Sequence, residues 1–71
     1  MKLEPGAYAF VLILRGVGGI TSTTNGRADV APGSTRDGIR DLVFRTYAAN
    51  FRRQTGQTRD PEIVLFTLKR R

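Results

Sequence analysis

No cysteine, histidine or tryptophan occurs in the chain, and six acidic residues stand against twelve basic ones. Without cysteine and histidine there are no disulfides, no Cys/His zinc sites, no thiol nucleophiles and no catalysis built on an imidazole. Among the acids Glu4, Asp29, Asp37, Asp41, Asp60 and Glu62, only Asp60 and Glu62 are close in sequence. Pro61 between them reads as a strand start rather than an acid/base or metal pair. A non-enzymatic protein with no cofactor and no metal is therefore expected.

Long apolar runs are also missing. The longest, AYAFVLIL at residues 7 to 14, is far short of the roughly 20 residues a membrane-crossing helix needs. Lys2 ahead of this run and small residues near Val17 to Gly19 give the outline of a signal peptide. Glu4 and Pro5 interrupt its basic end, and cleavage would delete the most apolar strand, so a soluble, cytoplasmic protein with no membrane partner is expected. With 71 residues there is room for one domain, residues 1–71, around one core. A chain this short buries only about 60% of its unfolded surface. Subunit association is then the remaining source of extra stability.

The formal charge is +6, and ten of the twelve basic residues are arginine. That balance favours polyanionic partners such as DNA or RNA, because the guanidinium fork donates paired hydrogen bonds to phosphate at any working pH. A GC-rich coding sequence supplies arginine without any partner, and both readings stand at this point.

Pro5-Gly6 marks a turn, and residues 7 to about 15 form a first strand with Tyr8, Phe10, Leu12 and Leu14 on one face. Ala7, Ala9, Val11 and Ile13 lie on the other. Gly16 to Gly19 suits a hairpin connection. The Thr-rich segment from Ile20 then reads as an edge strand reaching Val30 past a bulge near Asn25-Gly26. After Pro32-Gly33, Ser34 to Asp37 approximates a capping box that opens a helix to about Arg53. Its predicted buried stripe is Ile39, Leu42, Val43, Thr46, Tyr47 and Asn50, with Phe44 and Phe51 on the flank. Asp41 and Arg45 are placed for a solvated ion pair. Gly56 stops the helix, and Glu62 to about Lys69 forms a third strand.

The expected fold is α+β, of order β-β-α-β: a three-stranded sheet of order 2-1-3 with one helix packed on one face. The other face is left with an apolar row. A homodimer or a protein partner would cover it; so would the leader, the Arg27 to Gly33 segment and arginine stems from within the chain.

Gly16-x-Gly18-Gly19 fails as a dinucleotide fingerprint because the next segment is strand-like, and Gly33-Ser34-Thr35 lacks the lysine of a phosphate-binding loop. The helix N-terminus is a better anion candidate, with Arg36 and Arg40 joined by Lys69, Arg70 and Arg71 from the end of the third strand. Arg52, Arg53 and Arg59 form a second basic cluster at the opposite end. A capped helix with a solvated basic tail also accounts for the first cluster, since Asp37 competes for the same amides, and complementation of the helix C-terminal dipole also accounts for the second. Tyr8, Phe10 or Phe66 would offer base stacking if they faced outward, and otherwise serve as core.

The segments AYAFVLILRGVGGITSTTNG, APGSTRDGI and EIVLFTLKRR resemble small uncharacterised proteins of high-GC actinobacteria. The resemblance implies a β-hairpin, helix, strand fold and brings no activity or site residues with it.

Overall fold

The computed structural model describes residues 2–71. Strands β1 (Gly6–Arg15), β2 (Thr21–Val30) and β3 (Glu62–Arg70) form an antiparallel sheet of order β2-β1-β3, and helix α1 (Arg36–Thr55) packs on one side. The α+β architecture and the strand order match the sequence expectation. The β1–β2 connection is a short 3₁₀ turn, Val17–Gly19, where Gly18 and Gly19 take φ of 81° and 79°. These are left-handed values at which a side chain would be strained. Gln57, beyond the helix, clamps this turn: its Oε1 accepts from the Val17 N–H at 3.1 Å and its Nε2 donates to the Val17 carbonyl at 2.9 Å.

Tyr8, Phe10, Leu12 and Leu14 point toward the helix and are buried with Val30, Ile39, Val43, Phe51 and Phe66. Phe10 has the Tyr47 ring at 5.9 Å and the Phe66 ring at 6.5 Å between centroids. The helix is rolled relative to the predicted stripe by most of one residue's 100° step. Leu42 is 63% exposed, and Thr46 and Asn50 are also outside, whereas Phe51 and Ala48 are buried. Two of the buried rings lie directly over glycines. A Cβ on Gly16 would lie 2.6 Å from the Phe51 ring, and one on Gly26 would lie 2.6 Å from the Phe10 ring, so bare backbone at these points lets large rings settle against the sheet.

The helix cap differs from the expected box. Thr35, not Ser34, is the N-cap, and its Oγ1 accepts from the Gly38 N–H at 3.1 Å. Gly38 therefore occupies the position where a capping box needs Glu or Gln. Thr35→Ala should lower stability by about 1 kcal/mol, and Ser34→Ala by much less, in urea unfolding monitored by circular dichroism. Gly56 ends the helix at φ 72°, its N–H donating to the Arg52 carbonyl.

Two further expectations are corrected. β2 has no bulge at Asn25-Gly26, because its register with β1 is unbroken from Thr21 to Val30. The irregularity lies in β3, where Ile13 pairs with Leu65 and Leu14 with Ile63, leaving Val64 as the extra residue. Asp41 and Arg45 form no ion pair among the described residues; Arg40 approaches Asp37 at 3.7 Å instead.

Candidate functional site

The second face of the sheet is open. The leader crosses the helix side, where the Leu3 N–H donates to the Ser34 carbonyl and the Leu3 side chain packs on the core. It therefore gives the outer face no cover. The Arg27 to Gly33 segment supplies none either, since it continues β2 to Val30 and then turns.

Residues paired across antiparallel strands share a face, so the register writes out this surface row by row. One end carries Asp29 and Ala7, with the Arg71 N–H donating to the Ala7 carbonyl, and next to it the row Arg27, Ala9 and Lys69. The rows Asn25, Val11, Thr67 and Thr23, Ile13, Leu65 follow. Thr21, Arg15 and Glu62 close the far end, where Arg15 and Glu62 are ion-paired. The apolar content is thus an island of Val11, Ile13, Val64 and Leu65 among hydroxyls and an amide. The cations Arg27, Lys69 and Arg71 stand around a floor of two alanines. At ordinary strand spacing the Cα atoms of Arg27 and Lys69 are about 10 Å apart.

The predicted cluster of five at the helix N-terminus is divided by the sheet. Alternation along β3 sends Arg70 to the helix side and Lys69 and Arg71 to the open face. Arg70 pairs with Glu4, whose carbonyl also accepts from the Tyr8 hydroxyl at 2.9 Å. Arg36 donates to the Phe66 carbonyl at 2.8 Å and lies over the Phe66 ring at 5.5 Å, which commits it to holding the helix against β3. Arg40 sits beside Asp37. At the other end of the helix, Arg52 pairs with Asp60, while Arg53 and Arg59 have no ion-pair partner among the described residues. Of the eight basic residues singled out in the sequence, Lys69 and Arg71 thus come to the open face. There they join Arg27, which sequence reasoning missed although the hairpin glycines and the period-2 alternation fix its face once the register is counted.

Tyr8, Phe10 and Phe66 are all turned inward and buried, so no ring on the open face is offered to a base. No group of three or more acidic residues is placed to hold a metal ion among the described residues, and no described helix is long and apolar enough to cross a membrane. Compared with protein-family models, curated proteins and solved structures, the chain matches none.

Proposed function

We infer that the protein is a small non-enzymatic binding module that holds a polyanion, nucleic acid foremost, against the open face of its sheet. The observation that carries this reading is the grouping of Arg27, Lys69 and Arg71 around Ala7 and Ala9, with Asp29 as the one acid in those rows. Short alanine side chains let a phosphate backbone come close to the sheet while longer arginine and lysine side chains reach it from both flanks. Because the aromatic rings are inside the core, contact is with phosphates rather than bases, and binding is indifferent to sequence.

The test is a fluorescence-anisotropy titration of a single-stranded oligonucleotide over a range of salt concentrations. Three phosphate contacts give a log–log slope of about −2, and each cation removed makes it shallower by about 0.7. Arg27→Ala with Lys69→Ala should therefore cut most of the slope, while Arg36→Ala with Arg40→Ala should leave it nearly unchanged. Affinity that ignores ionic strength rules the reading out.

Val64 and Leu65, 50% and 44% exposed, favour a second reading, in which a protein partner or a second copy of the chain seats face to face on the apolar island. Leu65→Ser, which adds no charge to the face, would weaken such a complex and leave the oligonucleotide slope intact.

A further inference from the structure

The two edges of the sheet are built differently. The Gly16 N–H donates to the Ile20 carbonyl at 2.8 Å, which sets the hydrogen-bonding phase of the hairpin. Even-numbered residues of β2 direct their N–H and C=O groups to β1, and odd-numbered ones direct them away. The outward set is Thr21, Thr23, Asn25, Arg27 and Asp29, and among the described residues no backbone hydrogen bond reaches any of them. On β3 the same counting turns Phe66 outward, and there the Arg36 guanidinium occupies its carbonyl. The β3 edge is further broken by the extra residue Val64 and ends in Lys69, Arg70 and Arg71. Side-chain cover, a bulge and terminal cations are the devices by which sheet edges avoid pairing.

The β2 edge has none of them. It runs ten residues without proline, lysine or bulge, and its two charges, Arg27 and Asp29, are of opposite sign. We propose that β2 pairs antiparallel with β2 of a second copy of this chain, joining two sheets into one of six strands. The strand is self-complementary. With Asn25 facing Asn25 of the partner subunit on the two-fold axis, Thr23 faces an arginine and Thr21 an aspartate. Every outward N–H and C=O of the edge then finds a partner, and no like charges meet. Odd residues pair with odd ones in this register, so the open faces of both copies lie on the same side.

Leu42 gives the arrangement a second support. It is the most exposed leucine of the chain, and with Thr46 it borders the groove between the helix and Ala28 and Asp29 of β2. A partner joined at β2 brings its own helix onto this side. If each helix lies over its β1, the axes are about 14 Å apart, three strand spacings, which leaves room for side chains of leucine length between them. The pairing stands apart from the polyanion reading, although it would double the number of cations on the continuous open face.

Sedimentation of the full chain without nucleic acid, combined with amide hydrogen exchange by NMR, tests this. A dimer is expected, with the N–H groups of Thr23, Asn25 and Arg27 gaining protection as protein concentration rises. Thr23→Pro removes an N–H that bonds to no backbone group among the described residues of its own chain, so the fold tolerates it. It should weaken the dimer about tenfold or more. Asn25→Lys sets two ammonium groups against each other on the axis and should do the same without altering the backbone. A strict monomer in which these amides exchange freely overturns the proposal, and so does a dimer unaffected by both substitutions.

Discussion

Leu12→Ala lowers the melting temperature by roughly 15–30 °C and leaves little folded protein under mild denaturant. Leu12 is fully buried, the only core side chain among the described residues with no residual exposure, and it sits on the central strand between Thr24 of β2 and Phe66 of β3. Removing a buried leucine to alanine costs about 2.7–5 kcal/mol, as lost transfer energy plus the cavity left behind. Stability of about 0.05–0.15 kcal/mol per residue makes that a quarter or more of what a domain this small possesses. Each kcal/mol is worth about 4–8 °C in a domain of this size. Val11→Ala, one residue away but on the open face, is the control and should cost less than about 1 kcal/mol. Calorimetry of the two variants side by side reads the difference.

Gly26→Ala should be the second most damaging substitution, by about 1–3 kcal/mol in chemical denaturation. On propensity alone alanine would help, since replacing glycine reduces unfolded-chain entropy by an amount worth about 0.4–1 kcal/mol. Packing overrides it. The new Cβ would fall 2.6 and 2.7 Å from two carbons of the Phe10 ring, and that ring, 4% exposed, is hemmed in by Tyr47 and Phe66. With no room to retreat, either the ring leaves its rotamer or β2 moves away from β1. Restoration of stability in the double variant Gly26→Ala, Phe10→Leu would identify the ring as the obstacle.

These glycines also explain where the sequence was legible. The glycine-rich hairpin and the apolar first strand were enough to place β1 in the centre, because a tight turn makes β1 and β2 neighbours and a Thr-rich strand belongs at an edge. The rotation of the helix was not readable. Its apolar residues form two adjacent stripes, one through Leu42 and one through Phe44 and Phe51. Which of them faces the sheet is a property of the assembled surface, where the Phe51 ring lies over the bare backbone of Gly16. The same holds for Gln57: nothing in a polar loop marks one glutamine as the clamp on Val17 until the turn is brought to it.

For basic residues, proximity along the chain misleads in a strand. Lys69, Arg70 and Arg71 are consecutive, yet alternation sends the middle one to Glu4 and the helix side. Arg36 looked like a phosphate ligand at a helix start, but its guanidinium reaches the free edge of β3. Arg27, isolated among threonines and small residues along the chain, lies in one row with Lys69. Counting the hairpin register from its glycines would have recovered Arg27, whereas the bulge at Val64 has no sequence signal and had to be seen.

The most direct measurement is to map the amide shifts of the labelled protein as a short single-stranded oligonucleotide is added at low salt. Ala7, Ala9, Arg27, Lys69 and Arg71 should move together and return when salt is raised, while the helix N-terminus around Arg36 and Arg40 and the far cluster around Arg53 and Arg59 stay in place. Shifts centred on the helix ends with the open face silent, or no shifts at all, would contradict a polyanion seated on the sheet.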